Sequence, residues 1–226
     1  MTSDPKMSTK MIYISTKADL VFLVVLLLNS NIWAQKPGWK QETTKDGEVT
    51  VTYRFSKKVD QSGKKYNELE YEAVTIAAAS LVSLKEVMMD DAIHMEFMEG
   101  TERVKRVCDL PGGEWVTYYY YNSPWPMPDA DLITRYKLEE DPEGRRFVLT
   151  GSPAPDMYPE GKVPRMMHNH SKFTFTDMGN GIIEIVMYSK SVPLVSVPTW
   201  LIRTWIPGGP ADMLNGIIDL ASDTDD

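Results

Sequence analysis

Eight segments of the chain alternate apolar or aromatic residues with polar ones, and this period of two predicts eight β-strands. Two of the segments come before residue 77, and six follow residue 100 with turns rich in Gly, Pro, Asn and Asp between them. The predicted strands are residues 49–55, 69–76, 103–108, 114–121, 131–138, 145–149, 166–176 and 182–193. Eight strands cannot bury their inner face against one another without closing, so another element must cover that face.

Two stretches of the sequence have apolar residues spaced three and four apart, which predicts helices. The first covers residues 77–98, and the acidic pair at residues 90–91 predicts a break between two short helices. The second runs from residue 198 to residue 221, and the prolines and glycines of residues 207–210 should kink it. This long C-terminal helix is the element that can cover the inner face of the sheet.

The order of the elements predicts the fold class. Two strands, two short helices, six strands and a long helix follow one another, which favours an α+β fold. We expect one curved antiparallel β-sheet that wraps around the C-terminal helix. The sequence contains no internal repeat and no linker that would divide it, so these elements form a single domain.

The N-terminal segment has the parts of a secretory signal. Lys6, Lys10 and Lys17 precede an unbroken apolar run at residues 20–28, and Ala34 offers a small residue at a plausible cleavage point. As a helix this run would rise only about 14 Å, which is too short for a bilayer core of about 30 Å. The alternatives are a short buried helix or an anchor that lies at a membrane surface.

A signal at residues 1–34 would have consequences for the rest of the chain. Cleavage after Ala34 would leave residues 35–226 as the mature domain, exported to a periplasm or to the extracellular space. The single cysteine, Cys108, cannot form an intramolecular disulfide in that compartment. The mature domain must therefore be stabilised by its hydrophobic core alone.

The charge balance and the motifs exclude several classes of function. The chain has 24 Lys and Arg against 32 Asp and Glu, whereas a nucleic-acid binder needs a basic face, so we expect no nucleic-acid partner. Two histidines in one strand, His168 and His170, are a weak metal signal, and Cys108 is best interpreted as a plain thiol. Asp129 and Asp131 lie in a Pro-rich turn, where aspartate commonly caps backbone groups. We expect no metal, no cofactor and no catalytic residues.

A resemblance to a known family comes from two segments. Residues 122–131, with the sequence Asn-Ser-Pro-Trp-Pro-Met-Pro-Asp-Ala-Asp, directly follow a strand with four tyrosines in a row. This segment resembles the START domains, the lipid-transfer domains related to the steroidogenic acute regulatory protein. Asp129 and Asp131 keep the two acids of the family's Asp-Arg-Asp, but Ala130 replaces the arginine. The ending, residues 196–202 followed by Gly-Pro in a helix, is similar to the family as well.

The resemblance extends over residues 39–221 and implies a helix-grip fold, as in a bacterial-type single-domain member. In that fold the sheet and the C-terminal helix enclose an internal hydrophobic cavity that holds one molecule, commonly a sterol, a phospholipid or a ceramide. The loops at residues 122–129 and 153–163 would form the lid, with Trp125 and Met127 as lid residues in transient contact with membranes.

The resemblance also implies which residues bind the ligand. Some members place an arginine and an acid in the tunnel, and their positions fall on Tyr136 and near Val116, so the charged pair is absent here. In this alignment Val116, Tyr118 and Tyr120 share a face, Leu132, Thr134 and Tyr136 share the matching one, and Trp115, Thr117, Tyr119 and Tyr121 point to the opposite side. Together with residues of the helices, the predicted ligand-binding set is Val116, Tyr118, Tyr120, Leu132, Thr134, Tyr136, Phe97, Trp200, Thr204 and Leu214.

The function that we expect is binding, and transfer between membranes, of a lipid or another hydrophobic small molecule by a monomer. The alternative is an enzyme of the same superfamily, similar to a polyketide cyclase or aromatase, with Tyr118, Tyr120 or His168 as proton donors or positioning groups. A buried polar cluster with perturbed ionisation in the tunnel would favour the enzyme. A third hypothesis is a scaffold or sensor whose cavity is filled.

Overall fold

The computed structural model describes residues 37–59, 63, 65–123, 127–193 and 199–223. Within them, nine strands form one antiparallel sheet in the order β1-β2-β3-β9-β8-β7-β6-β5-β4. The strands are β1 (Lys40–Thr43), β2 (Thr50–Val59), β3 (Lys65–Ala78), β4 (Thr101–Leu110), β5 (Glu114–Tyr121), β6 (Ala130–Glu140), β7 (Arg146–Pro153), β8 (Asn169–Gly179) and β9 (Ile182–Ser191). The predicted curved antiparallel sheet is thus confirmed.

The connection between β3 and β4 carries the chain from the middle of the sheet to its far edge. It contains helix α1 (Leu81–Met89), a single turn of 3-10 helix (Asp91–Ile93) and helix α2 (His94–Phe97). The hydroxyl of Ser80 accepts from the backbone N–H of Ser83 and caps α1. The carboxylate of Asp90 accepts from the N–H of Ala92, which starts the 3-10 turn. The acidic pair therefore breaks the helix as predicted.

The C-terminal helix is divided into two parts. Helix α3 (Thr199–Trp205) ends before Pro207, and helix α4 (Gly208–Asp223) follows it at once. From Ala211 onwards the buried residues of α4 are spaced three and four apart, so they form one stripe that faces the sheet. The buried residues are Pro210, Ala211, Leu214, Ile217 and Ala221. Of the helices that the structure describes, none is long and apolar enough to cross a membrane.

The hydrophobic core lies between the sheet and α4. Phe147 and Phe175 stack there with ring centroids 4.4 Å apart, next to the fully buried Ile185 and Ile217. A methyl group on Gly216 would lie 2.8 Å from Phe97 Cβ, so this glycine lets α2 approach α4 closely. Part of this interior is not filled, and that part is the candidate site.

One strand of the sheet was not predicted, and another begins three residues later than predicted. Strand β1 was not predicted, because its four residues are all exposed and show no alternation of burial. The predicted strand at residues 166–176 begins only at Asn169. Before that point the chain bridges to β6 instead, where the N–H of Met166 donates to the carbonyl of Asp131 at 2.8 Å. His168 therefore lies outside the strand, and it does not share a strand face with His170.

Candidate ligand-binding cavity

An internal cavity of about 280 Å³ lies between one half of the sheet and the helices α1, α2 and α4. Its walls come from the start of β3, β6 and β8 and from the end of β5, β7 and β9, because the antiparallel order brings these strand ends together. The lining residues are Leu69, Tyr71, Met88, His94, Phe97, Met98, Glu99, Tyr121, Leu132, Tyr136, Leu149, Met166, Asn169, Ser171, Phe173, Met187, Ser189, Ser191, Trp205 and Met213.

The wall is mostly apolar and contains five methionines. The thioether side chain is unbranched and has three rotatable bonds, so it adapts to ligands of different shape. Met88 and Met187 are buried, whereas Met98, Met166 and Met213 are half-buried. A wall of this kind suits a hydrophobic ligand better than a rigid polar substrate.

One group of polar side chains lies on the sheet side of the cavity. Asn169 is paired with Ser191 across β8 and β9, and Ser171 is paired with Ser189, so all four face inward. Burial raises the pKa of Tyr71 to about 12, partly offset by a hydrogen bond with Ser189. These groups supply neutral hydrogen-bonding partners, which do not repel an uncharged ligand.

A second polar group reaches the cavity from the helix side. His94 Nδ1 lies 2.7 Å from Tyr119 Oη, and Tyr119 Oη lies 2.9 Å from Tyr136 Oη. The other ring nitrogen of His94, Nε2, lies 3.2 Å from the carbonyl oxygen of Met88. His94 and Tyr136 line the cavity, and Tyr119 is completely buried behind them. The three side chains form one continuous chain of hydrogen bonds that ends at the cavity.

Burial sets the ionisation of this chain. It raises the pKa of Tyr136 to about 12, and it raises the pKa of Tyr119 well above the ordinary value. Burial lowers the pKa of His94, although the nearby Asp91 carboxylate opposes this effect. Near pH 7 the chain therefore consists of a neutral imidazole and two neutral phenols.

Asp91 attaches the helical segment to the sheet. Its carboxylate accepts from Trp115 Nε1 at 3.2 Å and from Thr117 Oγ1 at 3.1 Å. Arg106 lies 3.4 Å away on its exposed side. Because His94 follows Asp91 by three residues, these bonds also fix the position of the imidazole against Tyr119.

Three of the predicted ligand-binding residues line the cavity, namely Phe97, Leu132 and Tyr136. Thr134 is buried on the same face of β6 but does not reach the cavity, because Tyr136 and Gly151 lie over it. Leu214 is fully buried in the packed core of α4 and does not contact the cavity either. The structure thus brings together only part of the predicted set.

The prediction for β5 has the wrong face. Tyr119 pairs with Leu132 and Trp115 pairs with Tyr136, so the inward residues of β5 are the odd-numbered ones. Val116, Tyr118 and Tyr120 lie on the outer face, because residues directly opposite in an antiparallel pair share a face and a shift of one residue reverses it. The ligand-binding role predicted for these three residues, and the proton-donor role predicted for Tyr118 and Tyr120, therefore do not match their position.

The outer face of β5 is covered by the segment at residues 153–165. The rings of Tyr118 and Tyr158 lie 4.7 Å apart there, and Tyr120 donates to Asp129 at 2.8 Å. Arg165 forms two hydrogen bonds of 2.8 Å with the fully buried Asp131. This segment is held against the outer face, so the lid role predicted for residues 153–163 does not match its position.

The remaining predictions concern α3 and the other lid loop. Trp200 is 65% exposed, and Thr204 donates to the carbonyl of Leu201 on the outside of the helix, so neither contacts the cavity. The wall contains Trp205 instead. Met127 is exposed beside a groove that continues from the cavity past Met166, whereas Trp125 lies outside the described residues.

Several residues of the site were not predicted from the sequence, above all His94 in the cavity wall and Tyr119 behind it. A histidine three residues after Asp91 and three before Phe97, on the apolar side of a predicted helix, was the available signal.

The described residues contain no group of three or more His, Cys, Asp or Glu that could hold a metal ion. His168 and His170 are both exposed.

Comparisons with known proteins agree with this architecture. The sequence model of one family, described as START domain, matches residues 24–218. The phosphatidylcholine transfer protein of Bos taurus is 25% identical over 140 residues, which are 60% of this chain and 64% of that protein.

Two solved structures show the same fold. The STAR-related lipid transfer protein of Xanthomonas axonopodis (fragment 25–204) has a TM-score of 0.64 and 18% identity, and the match covers 80% of this chain and 97% of that chain. The Zhui aromatase/cyclase of a Streptomyces species has a TM-score of 0.51 and 13% identity, and the match covers 70% of this chain and 96% of that chain. One name refers to lipid transfer and the other to an enzyme, so the fold alone does not choose between them.

Proposed function

The chain belongs to the START domain family, and from this premise we propose that it binds one hydrophobic small molecule in the cavity between its sheet and its helices. The observation that carries the proposal is a mostly apolar cavity wall with five methionines. Such a cavity would be costly to keep empty, since a void in the core destabilises the fold. A bound hydrophobic molecule removes this cost and the ligand's own contact with water.

The size of the cavity limits the ligand. About 280 Å³ lies at the lower end of the roughly 300–1,000 Å³ that small-molecule sites usually have. Burial of ten methylene groups gains about 8 kcal/mol, which is comparable to the roughly 4–15 kcal/mol that association costs. A single alkyl chain or a small ring system therefore fits the cavity, and a larger lipid requires the methionines or α3 to move.

The same proposal includes a route of exchange with membranes. Trp200 on α3 is 65% exposed, and Met95 on α2 is exposed beside a groove that Trp205 and Met213 also line. Apolar side chains around an opening can enter the interface of a bilayer, and the net charge of −8 keeps such contact brief on anionic membranes. We propose that the mature chain acts in this way as an exported monomer, after cleavage near Ala34.

A second candidate function is an enzyme of the cyclase type. The observation that favours it is the buried chain from His94 through Tyr119 to Tyr136, which brings a phenol to the cavity wall. A phenol in that position can orient a hydroxyl group of a polyketide-like substrate. The residues predicted as proton donors or positioning groups, Tyr118, Tyr120 and His168, do not line the cavity, so Tyr136 takes their place as a positioning group.

Extraction and mass spectrometry test the proposed function. The purified chain should release about one hydrophobic molecule per chain into organic solvent, or take one up from a panel of fatty alcohols, acylglycerols, phospholipids and sterols. Met213→Trp should lower this occupancy because residue 213 lines the cavity. Met178→Trp is the matched control, since Met178 is exposed at the far end of β8.

The outcome decides between the candidates. Recovery of unchanged ligand, with occupancy reduced only by Met213→Trp, supports binding and transfer. Conversion of the ligand into a cyclised or dehydrated product supports the enzyme. Absence of any ligand across the whole panel, with both variants folded by circular dichroism, would overturn the proposed function.

A further inference from the structure

In the hydrogen-bond chain at the cavity, the contact with Met88 determines which group donates and which accepts in each bond. A carbonyl oxygen only accepts hydrogen bonds, so the ring nitrogen that lies 3.2 Å from Met88 O, His94 Nε2, must carry a proton. His94 is 2% exposed, which disfavours a second proton on the ring. Nδ1 of His94 is therefore an acceptor.

The remaining two bonds follow from this tautomer. Tyr119 Oη lies 2.7 Å from the unprotonated Nδ1, so the Tyr119 hydroxyl donates to His94. Tyr119 has then used its proton, and its oxygen can only accept from Tyr136 at 2.9 Å. Tyr136 in turn donates to Tyr119. Each hydroxyl has one proton, so Tyr136 Oη keeps only acceptor capacity for the cavity.

The surroundings support this direction. Asp91 Oδ1 lies 4.0 Å from His94 Nδ1 and accepts from Trp115, whereas Asp91 Oδ2 accepts from Thr117 and pairs with Arg106. These donors compete with the imidazole for the carboxylate, so Asp91 does not require a proton on Nδ1. Tyr136 is itself a neutral phenol at neutral pH, because burial raises its pKa to about 12.

A second group lies near Tyr136 on the opposite side of Gly151. A methyl group on Gly151 would lie 2.4 Å from Ser171 Oγ and 3.1 Å from the Tyr136 ring carbon Cε1, so these two side chains flank the same point of β7. Ser171 lines the cavity as well and carries a hydroxyl that can donate. Tyr136 thus offers an acceptor and Ser171 offers a donor. An alcohol complements this pair, because its hydroxyl group both donates and accepts.

We propose that the cavity selects ligands that place a hydroxyl group against Tyr136 Oη, and that it discriminates against the aldehyde or ether of the same carbon skeleton. This inference rests on the proposed function, because it names the chemical class of the ligand of that same site. A fatty alcohol, an acylglycerol with a free hydroxyl, or a phenol meets the requirement. A ligand with only acceptor atoms supplies no donor to Tyr136 Oη in this buried site.

Competition binding with three probes of equal chain length tests the inference on the full chain. Decanol, decanal and methyl decyl ether would each displace a fluorescent hydrophobic reporter. We expect decanol to bind about tenfold more tightly than the other two, which corresponds to one satisfied hydrogen bond. Tyr136→Phe should reduce the affinity for decanol to that of the ether and leave the ether unchanged.

Tyr119→Phe gives a result that a structural role would not produce. Without Tyr119 to accept, the Tyr136 hydroxyl becomes free to donate into the cavity, so the affinity for decanal should rise relative to the affinity for decanol. Tyr118→Phe is the matched control, because Tyr118 lies on the outer face and should leave all three affinities unchanged.

The outcomes separate this inference from the proposed function. If none of the three probes displaces the reporter, the proposed function fails. This inference alone is overturned if all three probes bind equally. It is also overturned if Tyr119→Phe is folded and leaves the order of the three affinities unchanged, because the hydrogen-bond chain then does not have the proposed direction.

Discussion

Replacement of Arg165 by methionine should destabilise the folded chain by about 3–5 kcal/mol, the usual cost of leaving a buried charge without its partner. Asp131 is 0% exposed and Arg165 is 10% exposed, and two hydrogen bonds of 2.8 Å join them. The same guanidinium donates to the carbonyl oxygens of Pro155, Tyr158 and Pro159. Arg165 thus fixes the segment that covers the outer face of the sheet.

The expected loss can be followed by denaturation with urea and by heating. For a domain of this size, 1 kcal/mol shifts the melting temperature by about 2–4 °C, so Arg165→Met should lower it by roughly 6–20 °C. Adding Asp131→Asn should recover part of the loss, because the double variant contains no buried unpaired charge. Arg145→Met is the control, since its guanidinium is 56% exposed and lies 3.9 Å from Asp177. It should cost less than about 1 kcal/mol.

Two results would refute this reasoning. A loss below about 1 kcal/mol for Arg165→Met would mean that the pair is no more important than an exposed one. A double variant that is less stable than the single variant would mean that the hydrogen bonds to the loop carbonyls, and not the orphaned charge of Asp131, dominate.

Three further predictions concern the helices that cover the cavity. Gly209→Ala should displace the indole of Trp205, which lies 1.7 Å from where the new methyl group would be, and it should therefore shift the tryptophan fluorescence to the red and speed ligand release. Gly216→Ala should destabilise the fold by about 1 kcal/mol net in urea, because overlap with Phe97 Cβ at 2.8 Å outweighs the gain in helix propensity. Stability should fall below about pH 6.5 in a pH series, and this part of the loss should vanish in His94→Gln, because burial lowers the pKa of His94 and only the unfolded state then binds the proton.

The strands could be predicted because their alternation is visible in the sequence, but the face of β5 could not. Val116 is buried on the outer face and Trp115 on the inner face, since residues 153–165 cover the outside. When both faces of a strand are buried, apolar residues occur on both, and the sequence pattern no longer shows which face points inward. The pairing of Tyr119 with Leu132 supplies this information, and it exists only in the folded sheet.

The hydrogen-bond chain at the cavity could not be predicted from the sequence, for a related reason. His94 contacts Tyr119 across 25 positions of sequence, and Tyr119 contacts Tyr136 across 17. Phe97, Leu132 and Tyr136, which were predicted as ligand-binding residues, do line the cavity. The sequence does not show which elements come into contact, because they meet only after the sheet has curved around α4.

The most direct test of the central claim is a methyl NMR spectrum of the chain with labelled methionines, recorded during titration with decanol. If the ligand occupies the cavity, the signals of the lining residues Met88, Met98, Met187 and Met213 should shift, and those of the exposed Met157 and Met178 should not. Assignment by single Met→Leu variants identifies each signal. Saturable binding that shifts only the exposed methionines would contradict the claim that this cavity holds the ligand.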